Sequence, residues 1–554
     1  MIEAPKRDEL LFLALGGAGE IGMNLNLYGH AGRWLMVDLG VTFGDDSTPG
    51  IDLIMPDISF IEQERAKLAG LVLTHAHEDH IGAMPWLWPR LRCPIYATPF
   101  TAAVLRRKMT ESDFEGELPL TEIPMSGRFR IPPFELELIT LTHSIPEPNA
   151  VVIRTGAGTV LHTGDWKLDP EPLVGPVADE AALRRLGEEG VLAMVCDSTN
   201  ALVPGESGSE ATVRDSLDAL IGRAKQRIAV ACFSSNVARL ESVAKAAAKH
   251  DRQVALVGRS LWRINQAARE TGYLSDVPDF VSEHDADFLP RDKLVLLCTG
   301  SQGEPRSALA RIARNEHPAV QLEPGDTVIF SSRVIPGNER DIGRLQNELA
   351  RLGVEIVTER DHDVHVSGHP AQDELAQMYQ WVRPRIAVPV HGEARHMMAH
   401  ARLAEACQVP QAIVPANGAV IRLAPGPAER IAEVPSGRYG LDGSTLIPLH
   451  GETIRFRHRM LHNGAAVAML LLTGKGKLAA EPEIAIQGLG EPEEIEAART
   501  AAAAAVRAAL EKLPAESRRS EDAIKEAARI AVRRSLHARY GKKPLTEVRI
   551  LRLS

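Results

Sequence analysis

A stretch of six residues, His75 to His80, carries three histidines and two carboxylates in the string "HAHEDH". Imidazole nitrogens and carboxylate oxygens are the ligands that divalent cations such as zinc use in proteins. His75 and His77 are two positions apart, so on an extended segment they project to the same side. Asp79 and His80 follow where the chain turns towards a helix, and they can point back to the same place. This density predicts a site whose ligands are shared by two adjacent metal ions.

Three further candidate ligands, His143, Asp165 and His391, each follow a strand-like run. Asp165 has two carboxylate oxygens and is the natural bridge between two cations. The predicted sets are His75, His77, His143 and Asp165 for one ion, and Asp79, His80, Asp165 and His391 for the other. A water shared by two such ions becomes a hydroxide nucleophile near neutral pH, and the ions can also clamp a phosphodiester. The alternative is a single closed zinc site with spare histidines.

The elements that would position these ligands are indicated by the pattern of apolar residues. The first 200 positions contain short apolar runs typical of strands: "RWLMVDLG", "GLVLTH", "FELELITLTH", "AGTVLHTGD" and "GVLAMVCDSTN". Most of these runs carry a His or Asp at or near their end. Active-site loops gather where strands end along one edge of a sheet. We therefore expect the candidate ligands to meet at one such edge.

From about 205 to 360 the strand-like runs alternate with helical stretches, which predicts βαβ units and a parallel, doubly wound sheet. The runs are "RIAVACF", "QVALVG", "KLVLLCTG" and "DTVIFSS". They lead into the loops "SSN", "GRS", "GSQGEP" and "SSRVIPGNE", which are rich in Gly and Ser. Backbone N–H groups in such loops can hold phosphates, although a plain turn is the alternative for each of them.

A third unit begins near residue 465 with the strand-like runs "AAVAMLLLTG" and "EIAIQGL". Two helices and a last strand-like run, "LTEVRILRL", follow. The first helix is rich in Ala, a strong helix former, and is expected to stop at Pro514. The second helix carries the basic residues Lys525, Arg529, Arg533, Arg534 and Arg539. These charges predict a solvated face, with contact to RNA or to another subunit as the alternative.

Composition narrows the class of protein. The 554 residues predict two to four domains, and 44% hydrophobic with 25% charged residues is typical of soluble globular proteins. The runs lack the roughly 18–20 apolar residues of a membrane span, and the N-terminal "LLFLALGG" lacks the basic start of a signal peptide. Five scattered cysteines without a CxxC pair suggest reduced thiols in a cytoplasm. The net charge of −10 argues mildly against promiscuous polyanion binding.

The motifs resemble a known group of hydrolases. "HAHEDH", "THS" at His143 and "HTGDWKLDP" at Asp165 are similar to the metallo-β-lactamase superfamily, which builds a di-metal centre on an αβ/βα sandwich. Over 150 residues are inserted between Asp165 and His391, which resembles the β-CASP nucleases. In those enzymes the inserted domain closes over the metals. "VCDSTN", "HVSGH" and "VPVHGE" fit the β-CASP signatures, and a histidine at position 391 instead of valine implies action on RNA.

Within that group the chain resembles the bacterial ribonuclease J family, from the N-terminus to about residue 460, through "LGGAGEIGMNL", "CDSTNA", "FSSN", "TGSQGEP", "SSRVIPGNE", "HVSGHP" and "PVHGEARH". The resemblance implies a cytoplasmic, metal-dependent enzyme that degrades RNA from the 5′ end, can also cut internally, and serves rRNA maturation and mRNA decay. It implies single-stranded RNA as substrate and a homodimer or homotetramer. The cofactor expected is two divalent ions per chain, zinc, with manganese or magnesium as alternatives in turnover.

The same resemblance implies roles for residues outside the ligand sets. Asp197 would be the proton donor, and His369 a general acid/base or a group that orients the substrate. The terminal phosphate would be held by Ser234, Ser235, Asn236, His365, Val366, Ser367, Gly368 and His369. Such short donors leave little room for two more phosphates, so a 5′-monophosphate should be preferred to a triphosphate. The structural alternatives are a helix cap for Asp197, a turn for the serines and hydrogen bonding for the histidines.

The expected fold is α/β: a metallo-β-lactamase αβ/βα sandwich with an inserted doubly wound β-CASP domain and a small C-terminal α+β domain. The predicted boundaries are 1–205 and 361–430 for the two parts of the sandwich, 206–360 for the β-CASP domain, 431–464 for a linker and 465–554 for the C-terminal domain. Three other functions fit the sequence less well. A lactamase or thioesterase would have no use for the insert, and a flavin-dependent di-iron oxidoreductase would carry Glu in place of His77. A catalytically silent scaffold in an RNA-decay assembly should have lost ligands that this chain keeps.

Overall fold

The computed structural model describes residues 3–112, 114 and 116–553 of the chain. They form two compact units. The first comprises the chain up to Thr42 together with Met55–Gly437, and the second comprises Phe43–Ile54 together with the chain from Arg438 onwards.

The strands are numbered in chain order. The first fourteen are β1 (Leu10–Gly16), β2 (Ala18–Gly19), β3 (Leu25–His30), β4 (Arg33–Val37), β5 (Thr42–Phe43), β6 (Leu53–Pro56), β7 (Leu68–Val72), β8 (Ile95–Ala97), β9 (Leu120–Glu122), β10 (Arg128–Ile131), β11 (Phe134–Thr140), β12 (Asn149–Thr155), β13 (Gly158–His162) and β14 (Ala193–Asp197). The next six are β15 (Ile228–Ala231), β16 (Gln253–Val257), β17 (Val281–Ser282), β18 (Leu294–Cys298), β19 (Thr327–Phe330) and β20 (Glu355–Val357). The remainder are β21 (Ile386–Val390), β22 (Gly392–Glu393), β23 (Gln411–Ala412), β24 (Ala419–Ala424), β25 (Glu429–Glu433), β26 (Arg438–Asp442), β27 (Thr445–Pro448), β28 (Ala465–Leu472), β29 (Glu483–Gln487) and β30 (Leu545–Arg552).

The α-helices are numbered in the same way. They are α1 (Ser59–Gln63), α2 (Glu78–Ile81), α3 (Met84–Leu91), α4 (Pro99–Glu111), α5 (Glu180–Glu189), α6 (Glu210–Arg223), α7 (Val237–Lys249), α8 (Arg259–Glu270), α9 (Ala308–Ala313), α10 (Glu339–Arg351), α11 (Gln372–Val382), α12 (Ala394–Ala406), α13 (Glu452–Asn463), α14 (Pro492–Glu511) and α15 (Glu521–Tyr540). Short 3₁₀ helices lie at Arg65–Lys67, Ala286–Phe288, Arg291–Lys293 and Ser517–Arg519.

Two mixed sheets form a sandwich in the first unit. One has the strand order β25-β24-β1-β3-β4-β7-β8-β9 and the other the order β10-β11-β12-β13-β14-β21-β23. Buried residues of both sheets, such as Phe12 and Val151, share one core. A second core, which includes Leu183 and Met378, joins the seven-stranded sheet to helices α5 and α11. The predicted sandwich is therefore confirmed.

The apolar character of the central strands explains their place in the sandwich. β14 ("AMVCD") and β21 ("IAVPV") are buried along their whole length. They pair in parallel, with Val195 opposite Val388 and Asp197 opposite Val390. Continuous apolar runs are typical of parallel strands that are covered on both faces. Because the two strands are parallel and in register, the residues that follow them emerge at the same sheet edge.

A six-stranded sheet with the order β17-β16-β18-β15-β19-β20 forms the inserted domain, and each of its strand pairs is parallel. Helices α7 and α8 contact β16. Helices α9 and α10 share the core that includes Leu296 and Val328. In α10 the buried residues Ile342, Leu345 and Leu349 recur at the spacing of one helix face. The predicted doubly wound insert is confirmed.

The second unit has its own core at its C-terminal end. Strand β28 pairs antiparallel with β29 and parallel with β30. Alternate residues of β28, including Ala468 and Leu470, are buried with Val506 of α14 and Val532 of α15. This is the predicted α+β domain, in which α14 ends at Glu511. The segment 431–464, predicted as a linker, contains the antiparallel pair of β26 and β27 and helix α13. The exact domain boundaries stay a prediction.

Across the described ranges, we find no helix that combines the length and the apolar character needed to cross a membrane.

Candidate active site

The candidate metal ligands follow strands of the two facing sheets. His75 and His77 follow β7 in the eight-stranded sheet. His143, Asp165 and His391 follow β11, β13 and β21 in the seven-stranded sheet. The fold brings all of them, together with Asp79 and His80 around α2, into one cluster. This is the convergence at a sheet edge that the strand-end pattern predicts.

Three imidazoles and one carboxylate form the first group of ligand atoms. Nδ1 of His77 lies 3.0 Å from Nε2 of His75 and 3.1 Å from Nε2 of His143. Oδ2 of Asp165 lies 3.9 Å from each of those two Nε2 atoms. Ligands at about 2.0–2.2 Å from a tetrahedral zinc stand about 3.3 Å apart, so the group has the dimensions of a site for one cation.

The second group shares the same carboxylate oxygen. Nε2 of His80 lies 3.2 Å from Oδ2 of Asp165 and 3.7 Å from Oδ2 of Asp79. Nε2 of His391 lies 3.3 Å from Oδ2 of Asp165 and 3.6 Å from Oδ2 of Asp79. Asp165 therefore stands between the two groups, in the position expected of a bridging carboxylate.

Two atoms of this cluster lack a hydrogen-bond partner among the described residues although they are buried: Oδ1 of Asp165 and Nε2 of His391. Buried polar atoms in folded proteins normally have a partner, so these two call for an explanation. A cation in the second group would give Nε2 of His391 a partner, and Oδ1 belongs to the carboxylate that both groups share. The residues present thus fit two adjacent divalent ions that share Asp165.

The protonation states of the first group suit cation binding, whereas in His80 burial, which disfavours the charged ring, is outweighed by the charges of Asp165, Asp79 and Asp38, which raise the pKa well above the ordinary value. Burial is the largest effect that lowers the pKa of His75, His77 and His143, and the pKa of His77 falls to about 4. These imidazoles are therefore neutral near pH 7, and the neutral ring is the form that ligates a metal. Burial alone would raise the pKa of Asp165, but the neighbouring His391 and His80 outweigh it and hold that pKa well below the ordinary value. Asp165 is thus ionised near pH 7, as a ligand shared by two cations would need to be.

Two residues that the sequence does not single out form hydrogen bonds with the candidate ligands and orient them. Asp38, directly after β4, accepts hydrogen bonds from the backbone N–H of Thr74 at 2.8 Å and from Nδ1 of His80 at 2.7 Å. The side-chain amide of Asn24 lies 3.0 Å from Nδ1 of His391. Such partners fix which imidazole nitrogen faces a metal. The only sequence signal for either residue is the position of Asp38 near the end of a strand-like run.

The loop "HVSGH" touches the ligand cluster directly at Gly368. The backbone carbonyl of Gly368 accepts a hydrogen bond from Nδ1 of His143. A Cβ atom at position 368 would lie 2.7 Å from two atoms of the His143 ring, which is closer than real Cβ contacts allow. A residue without a side chain is therefore required here for the loop to approach His143.

His369 and Asp197, both predicted as catalytic, form a close pair beside the ligands. Nδ1 of His369 lies 2.7 Å from Oδ2 of Asp197 and 3.8 Å from Oδ2 of Asp165. The other oxygen of Asp197 accepts the backbone N–H of Thr199 at 2.8 Å. Burial disfavours a charged imidazole, but the charge and hydrogen bond of Asp197 outweigh it and raise the pKa of His369 to about 9. In the pair, therefore, the proton lies on His369.

The residues predicted to hold a terminal phosphate lie in two segments. Ser234 and Ser235 are partly exposed just before α7. Asn236 is buried, and its side-chain oxygen caps α7 by accepting the backbone N–H of Arg239 at 2.9 Å. In the second segment, Gly368 is buried, and the partly exposed residues are His365, Val366, Ser367 and His369. The side chain of Asn236 thus serves the helix, while both serine side chains remain accessible.

Arg239 holds these two segments together. It is fully buried, and its guanidinium donates to the backbone carbonyl of Val364 at 2.9 Å. It also pairs with the carboxylate of Glu210 at 2.9 Å. Because Arg239 lies in the first turn of α7 and Val364 directly precedes His365, the hydrogen bond from Arg239 to Val364 fixes the start of α7 against the "HVSGH" loop.

Comparisons with protein families cover nearly the whole chain. Residues 23–233 match the metallo-beta-lactamase superfamily, and 225–349 match the ribonuclease J beta-CASP domain. Residues 353–412 match the Zn-dependent metallo-hydrolase RNA specificity domain, and 452–553 match the ribonuclease J C-terminal domain. The order of these matches agrees with a sandwich that is interrupted by an insert and followed by a C-terminal domain.

Individual relatives agree with this assignment. The chain is 46% identical to ribonuclease J of Sinorhizobium meliloti over 551 residues, which is 99% of this chain and 98% of that protein. It is 38% identical to ribonuclease J of Mycolicibacterium smegmatis over 96% of this chain and 95% of that protein. A solved structure of a protein of unknown function from Enterococcus faecalis shares the fold, with a TM-score of 0.52 and 16% identity over 75% of this chain and all of that one.

These matches confirm the resemblance on which the sequence-based expectations rest, and they set aside a lactamase, a thioesterase, an oxidoreductase and a silent scaffold. The chain belongs to the ribonuclease J family and is a metal-dependent ribonuclease.

Proposed function

We propose that the enzyme removes nucleotides from RNA in the 5′-to-3′ direction, that it prefers a 5′-monophosphate end, and that it can also cut internally. The observation that carries the proposal is the position of the "HVSGH" loop. At Gly368 the loop contacts the candidate ligand His143, and Arg239 fixes the start of the same loop against the serines before α7. A terminal phosphate held there would place the first phosphodiester close to the ligand cluster.

We propose that two divalent ions, zinc as the resident metal with manganese or magnesium as alternatives in turnover, occupy the two ligand groups. His75, His77 and His143 would hold one ion, Asp79, His80 and His391 the other, and Asp165 both. When bound, two such ions acidify water into a nucleophile and offset the charge of the phosphodiester.

The remaining site residues would handle protons and the substrate. The resemblance implies Asp197 as the proton donor. Because the proton of the pair lies on His369, we propose instead that His369 donates it to the leaving 3′ oxygen, while Asp197 holds the ring in place. The hydroxyls of Ser234 and Ser235 and the polar groups of the "HVSGH" loop would accept the terminal phosphate. Asn236 would contribute by capping α7, whose first backbone N–H groups favour an anion.

The test is a single-stranded RNA labelled at its 5′ end and incubated with the enzyme and Mn²⁺ or Mg²⁺. Successive removal from the 5′ end releases the label as a mononucleotide from the first time points. Internal cutting releases longer labelled fragments instead. If only longer fragments appear, with no labelled mononucleotide, the exonuclease proposal is wrong and an endonuclease remains.

The wider role follows from the family and is also a proposal. We propose that the enzyme acts in the cytoplasm, on rRNA precursors and on mRNA, as a homodimer or homotetramer. The C-terminal α+β domain is the proposed contributor to assembly, because its core is separate from the ligand cluster.

A further inference from the structure

Arg333 lies beside the proposed phosphate site but is not among the residues predicted to hold the phosphate. It follows β19 in the loop "SSRVIPGNE", and its side chain is exposed. One guanidinium nitrogen donates to the side-chain oxygen of Asn200 at 3.2 Å. The amide of Asn200 donates in turn to Oγ of Ser367 at 2.7 Å and to the carbonyl of His369 at 3.0 Å. The Arg333 guanidinium is thus linked to the "HVSGH" loop through one intervening side chain, that of Asn200.

Two buried cations near this loop are already neutralised. Arg239 is buried in its ion pair with Glu210. Lys167 is buried, and its Nζ lies 3.0 Å from Oδ2 of Asp169. For Arg333, by contrast, no carboxylate oxygen among the described residues lies within ion-pair distance, and its one hydrogen bond leaves further N–H groups free.

The two histidines of the loop leave no unpaired positive charge either, because the protonated His369 is held in its pair with Asp197. Burial is the main cause that lowers the pKa of His365, to about 3, with smaller contributions from the charges of Arg239 and Arg333. The serine hydroxyls and backbone N–H groups of the proposed site are neutral as well. A phosphate monoester carries a charge of about −1.5 to −2 at pH 7, so a site built from these groups alone would leave most of that charge without a counter-charge.

We propose that Arg333 binds the 5′-terminal phosphate of the RNA substrate and thereby sets the preference of the enzyme for phosphorylated ends. The inference rests on the proposed 5′-end function and names the residue that supplies its charge. A guanidinium that is anchored at one nitrogen by Asn200 can offer its remaining N–H groups to phosphate oxygens. The competing role is purely structural: Arg333 would only hold Asn200 against Ser367 and His369.

The experiment compares two RNAs of the same sequence, one with a 5′-phosphate and one with a 5′-hydroxyl, in the full-length enzyme with Mn²⁺. The measured quantity is the ratio of kcat/KM between the two RNAs. Wild type should prefer the phosphate, and Arg333→Ala should reduce the ratio about tenfold, as expected for loss of one charge-assisted hydrogen bond. Arg333→Lys keeps the charge and should recover part of the ratio. Arg351→Ala, which removes an exposed arginine at the end of α10, should keep the wild-type ratio.

The outcomes separate the inference from the proposed function. A wild-type ratio near one would mean that the enzyme does not read the 5′ phosphate, and the end preference in the proposed function would fail. A large wild-type ratio that Arg333→Ala leaves unchanged would overturn the inference alone. An equal loss of kcat/KM on both RNAs, with no change in the ratio, would assign Arg333 the structural role and also overturn it. Thermal unfolding of each variant shows whether a loss reflects misfolding.

Discussion

Nδ1 of His369 lies 2.7 Å from Oδ2 of Asp197, although the two residues are 172 positions apart in the chain. Asp197 ends strand β14, which enters the insert, and His369 lies in the loop that follows the insert. The pair therefore forms only when the segments before and after the insert are brought together in the folded chain. The proton-carrying group of the site thus depends on a contact between two segments that are distant in sequence.

Replacement of His77 tests the proposed ligand set. His77→Ala removes the imidazole whose Nδ1 faces both His75 and His143, while the core of the sandwich does not depend on it. We expect hydrolysis to fall by more than about 100-fold and metal content to drop, because even partners behind the ligands typically contribute about 10–100-fold. Metal analysis, RNA hydrolysis and thermal unfolding measure these effects. His284→Ala, at an exposed histidine, is the control. Full metal content in His77→Ala, together with activity within about tenfold of wild type, would contradict the ligand set.

A methyl group at position 368 tests the contact between the "HVSGH" loop and His143. In Gly368→Ala the new Cβ would meet the His143 ring at 2.7 Å, so the ring or the loop must move. We expect about a 10–100-fold loss of hydrolysis, as for other residues that orient a ligand. Gly343→Ala, within α10, is the matched control, because a Cβ at this position would meet no atom within 4 Å. This substitution should stabilise the helix by up to about 1 kcal/mol. Equal activities of the two variants would show that the contact is unimportant.

The preference for a 5′-monophosphate end can be tested at Ser235, one of the two serines before α7. RNA with a 5′-monophosphate should be degraded faster than the same RNA with a 5′-triphosphate, because the short donors of the proposed site suit one phosphate. Ser235→Ala should reduce the ratio between the two rates. Ser275→Ala, at an exposed serine of the insert, should keep it. Equal exonucleolytic rates of the wild-type enzyme on both RNAs would argue against a fixed pocket.

Acid should weaken the buried ion pair between Glu210 and Arg239, which joins α6 to α7. Burial disfavours a charged Glu210, but Arg239, Lys167 and hydrogen bonds outweigh it and lower its pKa. A carboxyl whose folded pKa lies below its unfolded value of about 4.3 stabilises the fold fully above that pH and loses the effect as the pH falls. We expect Glu210→Gln to lower the free energy of unfolding by about 3 kcal/mol at pH 7, and by less below about pH 4. Urea unfolding at a series of pH values measures the free energy of unfolding of each variant, with Glu359→Gln, at an exposed residue, as the control. A difference between Glu210→Gln and wild type that does not change with pH would refute the explanation.

Removal of the C-terminal domain tests its role in assembly. The core of this domain lies within residues 466–548, and the ligand cluster lies outside it. A variant that ends at residue 464 should therefore keep its metal content but sediment as a smaller species than the loss of mass alone explains. Analytical ultracentrifugation and metal analysis measure both properties. An unchanged number of subunits would remove the domain from the assembly interface.

The ligand types, their grouping and the fold class could all be inferred from the sequence. This was possible because four of the ligands lie within the six residues His75 to His80, and because the others follow apolar runs that point in the same direction in one sheet, so that their ends lie at one edge. Local spacing and strand periodicity are properties of the chain, so they can be inferred before it folds. The family resemblance added Asp197, His369 and the phosphate-binding segments.

The residues that support those groups became visible only in the folded protein. Asn24 contacts His391, although the two residues are 367 positions apart. Arg333 is linked to Ser367 through Asn200, and Arg333 and Asn200 are 133 positions apart in the chain. Neither relationship leaves a periodic pattern, because a hydrogen bond between distant segments depends on how the sheets and the insert pack. The same holds for Asn236, which the sequence suggests as a phosphate ligand and whose side chain the structure places as the cap of α7. Contacts of this kind are set by packing, and packing is decided by the whole chain.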